Sequence, residues 1–357
     1  MALKWVQRNI QYFGGNPNKV TACGQSAGAE VIGILLTTSY GDGLFHQVIM
    51  ESNPLSVPYR NMSSAKEFGS QFAIKAGCNP HDMKCLRNTN VSKIVKASVG
   101  VPFDLFSSES ILLQAQQWSP VIDGNLLYEN PISIFQRGDF RKVPMIIGGN
   151  THDGFQYVKL IFSSKVSQFV YQLAIDAILR ERANALLDIY PPNCCDNTNE
   201  VNDIIADYVF QCPARLFSHV ASKDSWFYVY NGTLPFKSVW AFEECRDRAC
   251  HGAEIASVFD PSPMMPDYNE PELQYKLAHR VQYYWSNMAK HGNPNGKHGE
   301  NEAVVKEYDI INWDRFQEDD EPDYKSILFT DRGERIETNS MKSKCNVWDE
   351  LNIYAML

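Results

Sequence analysis

The sequence is short of basic charge: lysine and arginine number 33 against 42 aspartates and glutamates, a net charge of −9 at neutral pH. That argues against nucleic acid as a partner, because a phosphate backbone is held by basic patches. No apolar run reaches the roughly 20 residues that a membrane-spanning helix needs. The opening stretch MALKWVQR lacks an apolar segment before a small-residue cleavage site, so it is not a signal peptide. There is no G-x-x-x-x-G-K-[ST] loop and no G-x-G-x-x-G after a strand, and no cofactor is expected. Metal patterns are missing too. Cys194 and Cys195 are adjacent but lack histidines at ligand spacing, and Cys245, Cys250 and His251 have no second pair to complete a zinc site.

What is present describes a globular chain. Its 357 residues, 44 % hydrophobic and 21 % charged, suit one large domain or two ordinary ones. Nine cysteines and three glycosylation sequons, at Asn61, Asn90 and Asn231, point to the secretory pathway, where disulfides persist. The missing signal peptide contradicts this and calls for an explanation.

Along the chain, residues 2–12 have apolar positions near a helical period, but no N-cap residue precedes them. FGGNPN (13–18) is a turn cluster and KVTACG (19–24) a short strand. AGAEVIGILL (27–36) is an apolar helix expected to be buried, and QVIMES (47–52) a second buried strand. A mixed helical region runs to about residue 115. VPMIIGG (143–149) and WFYVY (226–230) are further strands, and 165–222 is mostly helical. A helix over 270–291 ends at Gly292 and Pro294. The acidic run 318–321 reads as a solvated loop. Strands separated by long helical stretches predict an α/β protein with a mostly parallel sheet.

The chemistry centres on VTACGQSAGA (20–29), which holds G-x-S-x-G around Ser26. Between a strand and a helix this pattern makes a tight turn that lifts the serine hydroxyl clear of the backbone. Gly24 and Gly28 flank it because side chains there are expected to collide. A serine hydroxyl needs a base, and the base an orienting acid. Asp153, just past the third strand, and His251, after the fourth, follow Ser26 in the required order. With eight histidines present, order alone leaves His251 open to a capping or core role. His152, next to Asp153, is an alternative base; His46, His81, His219, His279, His291 and His298 read as surface or structural.

FGGNPNKVT (13–21) running into GQSAGA (24–29) resembles the type-B carboxylesterase/cholinesterase family. GLFHQVIMES (43–52), PVIDG (120–124), HGAE (251–254), HGNPN (291–295) and INW (311–313) resemble further signatures in family order. ESNP (51–54) is similar to amoebozoan esterase-like secreted members. The resemblance covers essentially the whole chain and implies an α/β-hydrolase fold. It makes Ser26 the nucleophile, Asp153 the acid, His251 the base and the Ala27 N–H one oxyanion donor, acting on a small-molecule ester. Gln25 stands where many members have glutamate, and Tyr284 and Trp285 read as core. Tyr59 and Trp118 either border the acyl side or simply pack. The family pattern pairs Cys78 with Cys85 and Cys212 with Cys345; Cys245–Cys250 is a third pair by proximity only. Cys23, Cys194 and Cys195 are left over, Cys23 as a small core residue in a buried strand.

Family members also carry an N-terminal portion with an H-G-G-type loop that supplies further oxyanion N–H groups. Gly14-Gly15 and Gly148-Gly149 lie in the wrong context to replace it. Residues 1–357 are therefore read as a single esterase domain lacking that portion. It would hold the C-terminal part of the central sheet with its flanking helices, and the missing start would account for the absent signal peptide. Such a chain would expose a sheet edge beside the elbow strand and lose rate for each absent oxyanion donor. The alternatives are a non-catalytic secreted adhesion or storage protein and an inactive fragment. Nothing in the residues specifies an oligomeric state.

Overall fold

Five parallel strands and one antiparallel strand pair into a six-stranded sheet. The computed structural model describes residues 1–98, 111–162, 164–179, 182–221, 223–236, 239–259, 272–317, 323–352 and 354. The chain divides into two units, one of residues 1–56 and 134–352, the other of 57–133 and 353–357. In chain order the strands are β1 (Thr21–Gln25), β2 (Gln47–Glu51), β3 (Arg60–Asn61), β4 (Val121–Ile122), β5 (Met145–Asn150), β6 (Ser225–Asn231), β7 (Lys325–Thr330) and β8 (Gly333–Thr338).

The first unit holds the sheet, in the order β1-β2-β5-β6-β7-β8. Strands β1 to β7 of this sheet run parallel, and β8 closes it antiparallel to β7. Parallel strands are covered on both faces, which is why they read as unbroken apolar runs. Every residue of β2 and β5 is buried, as is all of β6 except Asn231. Trp226, Tyr228, Tyr230, Tyr284, Trp285, Trp313 and Phe329 fill one aromatic core. The long helix Glu272–His291 contributes Tyr284 and Trp285 and stops at Gly292, which takes φ +68°. Residues 270–271 and the acidic run 318–321 lie outside the described residues.

Three readings change at the sheet edge. Among the described residues β1 pairs with β2 alone, at the edge of the sheet; Ala22 is buried but Cys23 is exposed rather than a core residue. Protein packed on its other side, and then the Glu51 charge, still push the Cys23 thiol up to about 12. The helix Ala27–Leu36 buries Ile32, Ile34 and Leu36, while Val31 is 50 % exposed, so it is covered on one side only. Strands β7 and β8 and the helix Lys342–Leu351 were not expected. KSILFT is too short for periodicity to distinguish strand from helix, and GERIET reads as polar.

Cys212–Cys345 closes a separation of 133 residues and, within the first unit, ties this last helix to the helix Cys212–Val220. Loops of that size are worth about 4–5 kcal/mol when cross-linked.

In the second unit β3 pairs with β4, and Asn61 caps the helix Met62–Lys75 by accepting the Ser64 N–H at 2.9 Å. Cys78–Cys85 staples the chain after that helix. Trp118 lies edge-on to Phe68 and Phe72, each at 5.0 Å, with 55 % of it exposed, and Tyr59 is buried.

Candidate active site

Ser26 sits between β1 and the helix Ala27–Leu36 with φ 55° and ψ −122°, a strained conformation for a residue with a side chain. The turn is held at both ends: Ser26 N–H donates to Glu51 O at 2.9 Å, and Ser26 O accepts from Glu30 N–H at 2.9 Å. Only one flanking glycine is sterically required. A Cβ on Gly24 would lie 2.5 Å from the Gly28 carbonyl carbon, whereas one on Gly28 would meet nothing within 4 Å. The expectation that both positions exclude side chains is thus corrected to Gly24. Ala27 begins the helix, where the first N–H groups have no intrahelical acceptor.

Asp153 follows β5 and is fully buried. It accepts from Asn150 N–H at 2.7 Å and from Ser52 Oγ at 2.8 and 3.1 Å. His251 Nδ1 completes the set, 2.8 Å from Asp153 Oδ1. With its donors in place the carboxylate takes the Nδ1–H, which leaves Nε2 as the bare acceptor.

The two glycines of β5 make room for this arrangement. A Cβ on Gly149 would come within 2.6 Å of Asp153 Oδ2, and one on Gly148 within 2.1 Å of Tyr228 O. They belong to the sheet, as their sequence context implied.

His251 is positioned from several sides. Cys245–Cys250 immediately precedes it, and the bridge removes both thiolates as metal ligands. Asn150 Nδ2 donates to Cys250 O at 2.9 Å, and Gln156 Nε2 to His251 O at 3.2 Å. The Phe210 ring lies 5.0 Å away, on a π-helical stretch (Ala206–Gln211) just before Pro213. Such wide turns recur beside functional sites. The alternative base, His152, faces Thr151 Oγ1 at 3.0 Å instead.

Two contacts at the site were not foreseen. Gln25 Nε2 lies 3.2 Å from His251 Nε2 and donates into the lone pair that a serine proton would need. The Tyr157 phenol neighbours Ser26 and is pushed up to about 12 by burial, then by the Asp153 charge, with the Ser26 hydroxyl acting the other way. Ser52 was also missed. Its sign was the ESNP stretch, which was read only as a likeness to other sequences.

Two further carboxyls lie deep in the same region. Glu51 accepts from Trp285 Nε1 at 2.5 Å and Glu254 from Asn150 Nδ2. Burial pushes Glu51 up to about 7, with the Trp285 bond opposing. Glu254 is raised by burial first, then by the charges of Glu51 and Asp153.

The sheet order and the strand–serine–helix elbow define the α/β-hydrolase class of fold. Within it, the chain belongs to the carboxylesterase family, whose model matches residues 1–348. It is 30 % identical over 306 residues to the crystal protein of Dictyostelium discoideum, covering 84 % of this chain and 55 % of that one. It is 31 % identical over 300 residues to the cAMP-regulated D2 protein of the same organism, covering 82 % and 55 %. The solved structure of Aspergillus niger EstA shares the fold, with a TM-score of 0.78 at 21 % identity over 100 % of this chain and 68 % of that one. The chain spans about half the length of the curated relatives it matches.

Proposed function

We propose that this chain is a serine carboxylic-ester hydrolase acting on small-molecule esters through an acyl-enzyme. The observation that carries the reading is the 2.8 Å contact between His251 Nδ1 and the buried Asp153 carboxylate, in a fold that also presents Ser26 on a strained elbow. Ser26 Oγ attacks the ester carbonyl and its proton passes to His251 Nε2. Asp153 holds the Nδ1–H and steadies the imidazolium. The Ala27 N–H, at a helix start, faces the oxyanion; each such donor is worth about a hundred- to a thousand-fold in rate. The intermediate collapses, His251 returns the proton to the departing alcohol, and water then releases the acid. The Gln25 amide has to leave Nε2 before the first step.

A fluorophosphonate probe tests this, since it reacts with an activated serine without needing turnover. The expected result is one adduct, mapped to Ser26 and absent in Ser26→Ala. Folded protein that takes no label would sink the reading. That outcome would favour a non-catalytic, esterase-like secreted protein, a reading supported by the Gln25 amide on His251 Nε2.

A secretory location is part of the proposal. Asn61, Asn90 and Asn231 are all exposed, three disulfides cross-link the chain, and among the described residues no helix is long and apolar enough to cross a membrane. A mass decrease on endoglycosidase treatment of the natural protein is expected; an unmodified mass at all three asparagines would count against it.

A further inference from the structure

Six of the nine cysteines are bridged and Cys23 is isolated, which leaves Cys194 and Cys195 together in the loop before the helix Thr198–Ile205. Adjacent side chains in extended backbone point to opposite sides. Here the chain bends at both residues, both are exposed, and their sulfurs face each other at 2.8 Å.

The bend is built into the loop by asparagines. Cys195 N–H donates to Asn193 Oδ1 at 3.0 Å, and Asn193 N–H to Asn197 Oδ1 at 2.6 Å. Asn197, fully buried, returns a bond from Nδ2 to Asn193 O at 2.9 Å, and its N–H donates to Val166 O at 2.8 Å. The two thiols are thus held on one face of an anchored loop, open to solvent, with no third metal-ligating side chain grouped with them among the described residues.

We propose that Cys194 and Cys195 form a reversible dithiol/disulfide site that exchanges with small-molecule disulfides of the glutathione type. The thiolate of one cysteine attacks a sulfur of the small disulfide; the S–S bond breaks and one small thiolate leaves. The second cysteine attacks the resulting mixed disulfide, a bond forms between Cys194 and Cys195, and the second small thiol departs. The protein loses two electrons and two protons, and one small disulfide becomes two thiols.

The ring closed in this way is strained. Neighbouring Cα atoms across a trans peptide are about 3.8 Å apart, against the roughly 4.4–6.8 Å usual for a disulfide. Strained, exposed bridges are the readily reduced ones, which makes the step reversible. The Cys195 thiol is raised, first by its bond to Cys194 and then by that neighbour's charge, with Lys165 acting the other way. Losing the first proton therefore disfavours losing the second, and the nucleophile is a single thiolate beside a thiol.

The test uses the full chain carrying Cys23→Ser, so that Cys194 and Cys195 are the free thiols. Oxidised glutathione is added, remaining thiols are trapped with a maleimide, and intact and peptide masses are read. The expected maleimide count is two before oxidation and zero after, with no retained glutathione, an internal link in the peptide spanning 190–200, and full reversal by reduced glutathione. With Cys195→Ser added, one stable glutathione adduct at Cys194 is expected and no link. Before oxidation, phenylarsine oxide should block both maleimides in the Cys23→Ser parent and leave the single maleimide at Cys194 unblocked once Cys195→Ser is added. A count that stays at two, or a parent that keeps one or two stable glutathione adducts, would overturn the proposal.

Discussion

Replacing Glu51 with glutamine isolates what it costs to bury this carboxyl. Glu51 is 1 % exposed, and burial moves its carboxyl from an ordinary 4.5 to about 7. Between those values the folded chain holds a proton that the unfolded chain has released, so stability falls as pH rises through the window. At about 1.4 kcal/mol for each pH unit of displacement, the loss is about 3 kcal/mol once pH exceeds 7. Glutamine has nearly the shape of the neutral acid, can still accept the Trp285 N–H, and never ionises. The variant should match the parent at pH 4 and exceed it by about 3 kcal/mol at pH 8, in chemical denaturation at both values. Comparing variant with parent at each pH cancels the titration of distant groups. It leaves in the easing of Glu254, which adds to the gain, because the Glu51 charge helps raise that group. A difference that does not change between the two pH values, or a variant less stable at pH 8, would refute the account of Glu51 as a protonated buried acid.

Three more perturbations probe the site. Ser52→Ala removes the hydroxyl that donates to both Asp153 oxygens; hydrogen bonds to charged groups are worth about 1.5–3 kcal/mol, so fluorophosphonate labelling of Ser26 should slow at least tenfold, and an unchanged rate would count against Ser52 as the residue orienting Asp153. Gly149→Ala places a Cβ 2.6 Å from Asp153 Oδ2; a loss of about 1–3 kcal/mol is expected along with slower labelling, and a melting curve and labelling rate equal to the parent's would contradict it. Gln25→Ala frees His251 Nε2 from one neutral donor worth about 0.5–1.5 kcal/mol; labelling should accelerate roughly two- to tenfold, and a slower rate would mean that the amide supports the base instead of competing for it.

What was legible in the sequence is what ten or so consecutive residues encode. The elbow could be read because strand, serine turn and helix are contiguous and Gly24 alone permits the close approach to Gly28. The helix over 272–291 could be read because its apolar period runs to a glycine stop. The chain order Ser26, Asp153, His251 was likewise visible as order. What only the tertiary structure decided is which distant groups meet. Ser52 reaches Asp153 because β2 lies beside β5, and His251 reaches it because the Cys250 loop bridges to His152. The same holds for Cys23, exposed where β1, among the described residues, has a partner on one side only, and for Glu51 and Glu254, held as raised, buried acids. Burial, ionisation and contact across about a hundred residues depend on what packs against a side chain, and strand register sets that packing where local pattern cannot.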